Sequence, residues 1–446
     1  MTSDVSALPP GPKGIPVFGS ALPFANNSLD FLSNLLKFGD IASFKVMGAN
    51  YVVVHSPELI QQVLISHAKK YEKNIFLKKI WRPLLGDGLL SSDGETWKKA
   101  RKLSNPSFTR EQIAAYTTAV EACARERIAS WNVGEVKNID TELVDLTLRV
   151  VISTLFGSDL NAATLNKLRD GFQVCTDYFN YSIGPTAMLT AKIPTPQKSL
   201  FSRTVKDLRG MVRNLIEVRR RNIEGKVDLL SSLIRSREEE WNDTTENELV
   251  DEVLTLIGGG HETTALALTF TFHLLAENPE WMEKVQREID VVLGNKSMSE
   301  VSVKDFVVMG KVFHESLRLY APAPVIARNV VEEDQIGGFN IPKNTLVLVP
   351  IWAVQRNPQF YKDPTVFQPQ RWDGDLAQTL PKTAYMPFGY GPRICIGSGF
   401  AMMEAMTIMA VILQKFSFEK PKRPLRFKLG ISARPRDPVR LELKSR

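Results

Sequence analysis

Apolar residues recur along this chain with two periods, and the switches between them mark its organisation. In "IASFKVMGANYVVVHSPE" (Ile41–Glu58) apolar and polar positions alternate around a turn-like Gly48–Ala49–Asn50. That pattern predicts a hairpin, with a helix starting near Pro57. From Arg110 to Leu275 the spacing is helical almost throughout, broken by "SIGPTAMLTAKIPTPQ" (Ser182–Gln197). A second strand-rich patch is expected over Asp334–Val354, followed by an irregular Asn357–Lys382. An apolar helix follows Cys395, and "RFKLGISARPRDPVRLELKS" (Arg426–Ser445) reads as a further hairpin. The leading "LPPGPKGIPVFGS" (Leu8–Ser20) is rich in proline and glycine and should run extended over the surface. There is no internal repeat and no low-complexity linker. The expected fold is mainly α with small β-sheets (α+β), one domain over residues 1–446 with residues 1–20 as its N-terminal segment.

The most informative periodic stretch is "TTENELVDEVLTLIGGGHETTALALTFTFHLLAENPE" (Thr244–Glu280). Thr245 and Glu248 have capping-box spacing, and Asn278–Pro279 signals the stop. A helix of roughly 33 residues, at about 1.5 Å each, crosses a whole domain. Its middle breaks the pattern. Gly258, Gly259 and Gly260 each cost about 1 kcal/mol against alanine in a helix interior. His261, Glu262, Thr263 and Thr264 then interrupt an apolar helix. A locally satisfied kink is the plain explanation for one such fault. Three glycines followed by an acid and an alcohol suggest instead that something flat approaches the helix, and that a carboxylate beside a hydroxyl relays protons.

Composition narrows the chemistry. The chain is 43% hydrophobic and 24% charged, ordinary for a globular protein, and its net charge of +7 is too diffuse for a nucleic-acid signature. That bias suits docking to an acidic protein or, at most peripherally, to an anionic membrane surface. Three cysteines (Cys123, Cys175 and Cys395) give no disulfide framework and fit a reducing, cytoplasmic setting. No run reaches the ~20 apolar residues of a membrane span, and no secretory signal is visible. "HETTA" (His261–Ala265) lacks the second histidine of a zinc-protease helix, and no phosphate loop, GxGxxG turn or serine elbow occurs.

That leaves Cys395, set in "PFGYGPRICIGSGFAMMEAM" (Pro387–Met406). A small buried thiol is the commonest fate of a lone cysteine. Zinc would need further ligands close by, and covalent haem attachment would need CxxCH; neither is present. A thiolate holding haem iron needs one cysteine only. Gly391 and Gly397 would permit close backbone approach, the following helix would place its positive end near the sulfur, and Arg393 would supply a cation for a propionate.

Phe388–Gly389–x–Gly391–x–Arg393–x–Cys395–x–Gly397 resembles the haem-binding signature of the cytochrome P450 family in each of its defining positions. "GGHETT" (Gly259–Thr264) resembles the family's oxygen-activation motif, "ESLR" (Glu315–Arg318) its ExxR pair, "QPQRW" (Gln368–Trp372) its PxRF segment and "WKKAR" (Trp97–Arg101) its WxxxR helix. The resemblance spans essentially the whole chain.

It implies haem b as cofactor, Cys395 as the metal ligand, and a haem site that also uses Gly259, Phe388, Gly389 and Gly397. Trp97, Arg101, Arg328 and Arg393 would meet the propionates, and Glu262 and Thr263 would govern proton delivery to dioxygen. Glu315, Arg318 and Arg371 would be structural. Gln355, Gln370 and Trp372 depart from the usual histidine, glutamate and phenylalanine. The implied activity is monooxygenation: one atom of O2 inserted into an apolar small molecule of fatty-acid, terpenoid or steroid type, by hydroxylation or epoxidation. Electrons would come from a separate reductase or ferredoxin. The alternatives are a peroxide-driven peroxygenase or isomerase, and a non-catalytic haem sensor or carrier. A monomer is expected, either naturally soluble or parted from a membrane anchor. Candidate pocket linings are Phe76, Leu77, Leu84, Phe179, Tyr181, Met188, Ala323, Val325, Ile326 and Ile431.

Overall fold

The alternating Ile41–Val54 stretch folds as expected, and it founds the largest sheet. This computed structural model describes residues 8–157, 160–182, 193–226, 228–238, 241–374 and 376–446; within the helix Ile75–Leu85 the side chains of Phe76 and Leu77 lie outside the description, as does Met188. The strands in chain order are β1 (Ile41–Val46), β2 (Ala49–Val54), β3 (Tyr71–Lys73), β4 (Val136–Asn138), β5 (Ile326–Val330), β6 (Asp334–Ile336), β7 (Phe339–Ile341), β8 (Leu346–Val349), β9 (Phe416–Phe418), β10 (Phe427–Leu429), β11 (Ala433–Pro435) and β12 (Arg440–Ser445). The main sheet runs β1-β2-β8-β5-β3. The β1–β2 turn falls at Met47–Gly48, both at positive φ, one residue earlier than the sequence suggested.

Helices form the rest. The long helix spans Asp243–Glu277, and apart from its exposed first turns and the glycine region its residues are buried almost all round. A helix apolar on every side belongs in a core. It packs along the helices Ile139–Leu155, Val307–Leu319 and Ser398–Leu413, all of them contributors to the main hydrophobic core. Its cap lies one turn earlier than expected. Asn242 accepts from the backbone of Thr244 and Thr245, and the Thr245 hydroxyl accepts from the Asn242 N–H. That reciprocal pair supplants Thr245–Glu248 and releases Glu248 towards Lys99, 3.9 Å away.

Two strand expectations are corrected. The end of the Asp334–Val354 patch, Ile351–Val354, is a helical turn. The C-terminal stretch is not one hairpin. β10 and β11 pair with each other, while β12 leaves to pair with β4 and β9. Asp437–Pro438 breaks the alternation between them.

One buried knot fixes the segment that leads to Cys395. Glu315 and Arg318, three apart on the helix Val307–Leu319, are both fully buried and joined by two bonds of 2.8 Å. Arg318 also donates to the carbonyls of Gln355, Pro364 and Val366. Glu315 accepts from Arg371 at 3.4 Å, Trp372 Nε1 at 3.1 Å and the Gln368 amide at 3.0 Å. Two of the departures noted in the sequence, Gln355 and Trp372, are working parts of this knot, whereas Gln370 is exposed. Gln355 donates to the carbonyls of Leu317 and Arg318, and its oxygen accepts the Met386 amide, two residues before Phe388.

Candidate haem-thiolate site

The segment Phe388–Gly397 turns back on itself because the Cys395 amide donates to the Phe388 carbonyl at 2.9 Å. Gly389 and Gly391 both adopt positive φ. A side chain on Gly391 would also strike the Leu64 carbonyl, 2.5 Å from its Cβ position. Phe388 packs against the core, and the helix Ser398–Leu413 begins one residue after Gly397. Of the three cysteines, Cys123 and Cys175 are buried and Cys395 is exposed. Its sulfur is accessible, yet desolvation raises its pKa, with the Gly397 amide and the Arg101 charge pulling the other way. The helix terminus therefore does not make a thiolate unaided; a bound metal would, since coordination deprotonates the thiol outright.

Arg101 clamps this loop. Its guanidinium donates to the Ile394 carbonyl at 2.8 Å and to Asn105 at 3.1 Å. Trp97, on the same helix Gly94–Ser104, lies under the Arg393 guanidinium at 5.6 Å. Arg393 pairs with Asp93, which Lys78 also takes.

Lys73 carries no signal in the sequence. It sits on β3 directly opposite Arg328 of β5, a like-charge cross-strand pair. Its ammonium is held by the carbonyls of Leu89 and Ser92. Burial brings Lys73 down to about 7, Asp93 pulling it up and Arg393, Arg328 and Lys78 pushing it down further. Burial likewise lowers Arg328, to about 10. Asp93 is thus the carboxylate common to Lys73, Arg328 and Arg393, it is also taken by Lys78, and Glu252 is the other carboxylate acting on Lys73. Such a pocket is short of negative charge, and two propionates would supply it.

The glycine fault divides in two. A Cβ on Gly258 would meet Phe172 at 3.0 Å, and one on Gly260 would meet Val151 at 3.1 Å, so these two serve helix packing. Gly259 faces open space, with nothing within 4 Å. Thr263, one turn on, is also on the open side and donates to the Gly259 carbonyl at 2.9 Å. Gly397 is similarly unneeded by the protein's own packing, its nearest neighbour being Phe108 at 3.8 Å. Room kept at Gly259 and Gly397, an accessible thiol and an unsatisfied cationic pocket fit a flat dianionic macrocycle.

Glu262 and Thr263 are not hydrogen-bonded to each other. Glu262 accepts from the Ser432 hydroxyl and from Arg434 Nε at 2.7 Å. Burial would raise its pKa, but Arg434 and Ser432 more than offset this and hold it below the ordinary carboxylate range. Among the pocket candidates, Leu84 and Phe179 are core residues, whereas Ile326 approaches Gly389, 3.7 Å from its Cβ position.

The family model for Cytochrome P450 matches residues 9–442. The chain is a cytochrome P450. Cyclooctat-9-en-7-ol 5-monooxygenase of Streptomyces melanosporofaciens is 33% identical to this P450 over 91% of the chain and 88% of the relative. Cyclooctatin synthase of the same species is 30% identical over 96% and 92%. Pentalenene oxygenase of Streptomyces avermitilis is 30% identical over 91% and 90%. The crystal structure of the cytochrome P450DA heme domain superposes with a TM-score of 0.84 at 24% identity, covering 99% of this chain and 98% of that one, which shows the mainly helical fold. This P450 is a haem-dependent monooxygenase, and P450s use O2 and external redox partners. Among the described residues no helix is long and apolar enough to cross a membrane.

Proposed function

We propose that this P450 hydroxylates an apolar terpenoid, that Cys395 is the proximal ligand of its haem, and that residues 1–446 act as a single catalytic domain. The observation that carries the ligand assignment is the accessible Cys395 sulfur, held in a glycine loop that Arg101 ties down. Trp97, Arg101, Arg328, Arg393 and Lys73 would hold the propionates. When bound, the haem iron activates dioxygen and the thiolate donates electron density to it. The terpenoid assignment is supported by the names of three relatives, each of which covers nine-tenths or more of this chain. Titration of the holoenzyme with cyclic terpene hydrocarbons, watching the Soret band for a spin-state shift, tests it. Terpenes should shift the band at lower concentration than fatty acids or steroids of similar size; the reverse order would reject the terpenoid reading.

Lys73 gives haem uptake a pH signature. Burial depresses its folded pKa from 10.5 to about 7, so between these values the folded apoprotein holds it largely neutral while the unfolded chain holds it charged. Its burial therefore penalises folding most below pH 7, and the penalty fades as pH rises towards 10.5. Propionates beside the ammonium would raise the pKa again. Near pH 8 haem uptake should therefore add a proton at Lys73, which offsets the proton that Cys395 loses on coordination. Isothermal titration calorimetry in buffers of different ionisation enthalpy measures the net exchange. Lys73→Met should release close to one proton more than the parent at this pH, and an unchanged proton count in that variant would remove Lys73 from the propionate pocket.

Thr263 and Glu262 are assigned to proton delivery. Thr263→Ala deletes the hydroxyl on the open face and leaves the rest of the helix intact, so stability should change by no more than about 1 kcal/mol. Consumption of reducing equivalents should continue while product per equivalent falls several-fold. Full coupling in Thr263→Ala would end the assignment.

A further inference from the structure

The acid that the proton pathway needs is already engaged. Glu262 accepts from Ser432 and Arg434, and Arg434 Nη1 donates to Gln173 Oε1 at 3.1 Å on the helix Ala162–Ser182, where Gln173 in turn donates to Asp177. One guanidinium therefore joins three elements: the long helix, the helix Ala162–Ser182 and the β10–β11 hairpin. The Glu262 and Arg434 side chains are only 19% and 22% exposed, so the pair is partly shielded from water.

The hairpin that carries Arg434 is a slight structure. It is a two-stranded sheet with three rungs, Phe427↔Pro435, Lys428↔Arg434 and Leu429↔Ala433. Isolated two-stranded hairpins are marginal in water. Apolar packing secures the open end, where Phe427 lies against Phe270, Tyr320 and Trp352, and at the turn end the buried Ala433 donates its amide to the Pro322 carbonyl. At the turn Gly430 abuts Asn180, and the bonds to Glu262 are polar. Ser432 and Arg434 flank the buried Ala433, so it is their side chains that hold or release the carboxylate while the backbone between them stays anchored.

We propose that Arg434 is a positioning residue for proton delivery, holding the Glu262 carboxylate against the C-terminal hairpin and releasing it for each proton transferred. The role rests on the assignment of Glu262 and Thr263 to proton delivery. Adjacent residues on a helix do not face each other, so the path from Glu262 to Thr263 runs through water. Once released, the carboxylate takes a proton from water. That O–H bond then breaks as the proton passes to Thr263 Oγ, whose own O–H bond breaks in turn as its proton goes to the dioxygen reduced with the redox partner's electrons, and the regenerated carboxylate returns to Arg434. The groups facing Glu262 are Arg434 and Ser432 from the hairpin and His261 from its own helix, with Gln173 and Asp177 behind Arg434. Because Arg434 and Ser432 hold the acid low, losing the guanidinium should raise its pKa.

The test uses the holoenzyme with its redox partner and compares Arg434→Gln, Arg434→Lys, Ser432→Ala, Glu262→Gln and the Glu262→Gln/Arg434→Gln double variant. Two quantities are measured: product per reducing equivalent against pH, and hydrogen exchange at the amides of residues 430–434. In Arg434→Gln the midpoint of the pH profile should move to higher pH and exchange should quicken. Arg434→Lys should restore both, and Ser432→Ala should move the midpoint the same way by less. In the Glu262→Gln background Arg434→Gln should shift no midpoint. The proposal is overturned if Arg434→Gln and Ser432→Ala leave the profile in place while Glu262→Gln alters it, or if the Arg434→Gln shift persists without the acid. A Glu262→Gln profile identical to the parent's would remove the proton pathway itself, and the role of Arg434 with it.

Discussion

Glu315→Ala should yield a chain that scarcely accumulates as folded, haem-loaded protein. Arg318 is fully buried beside it, and its remaining partners are neutral carbonyls and an aromatic face. Removing the carboxylate strands that guanidinium and also takes the acceptor from Trp372, Arg371 and the Gln368 amide. Breaking a buried ion pair from one side costs about 3–5 kcal/mol. Marginal stability of ~5–15 kcal/mol leaves little after such a loss. The damage would spread to the site, because Gln355 ties the same helix to the Met386 amide. Thermal unfolding of the purified variant, with the haem-to-protein absorbance ratio, measures it. A midpoint and a haem content like the parent's would show that the knot does not support the cysteine segment.

Cys395→Ala should behave oppositely: a stable fold with the chemistry gone. Its side chain is exposed, and the Cys395 amide bond to Phe388 involves only backbone, so alanine keeps the turn. Stability should move by no more than about 1 kcal/mol. Turnover should drop by at least ~10³-fold, on the scale of removing a central catalytic group. The pair of variants separates the residues that build the site from the one that reacts. If Cys395→Ala kept coupled turnover, the ligand would have to lie elsewhere.

The parts of this P450 legible in the sequence were those governed by local rules. Helical period located the long helix to within a few residues, and ExxR spacing placed Glu315 and Arg318 on one face. Local rules failed where two local solutions competed, as at the helix start, where Asn242–Thr245 and Thr245–Glu248 both have capping spacing and the earlier pair formed. The three glycines looked equivalent, yet only the helices packed on Gly258 and Gly260 reveal that Gly259 is the open one. Lys73 and Arg434 were illegible for a related reason. Lys73 owes its role to a strand register with Arg328, some 250 residues on, and Arg434 to a hairpin that folds back onto Glu262. Neither neighbourhood leaves a trace in the surrounding residues.

The central claim is that Cys395 binds haem iron as a thiolate. The most direct measurement is the absorption spectrum of the purified protein, reduced and exposed to carbon monoxide, with Cys395→Ala run beside it. The parent should show a strongly red-shifted Soret band and the variant should lack it. A band at the position typical of histidine ligation, or the same red-shifted band in both proteins, would contradict it.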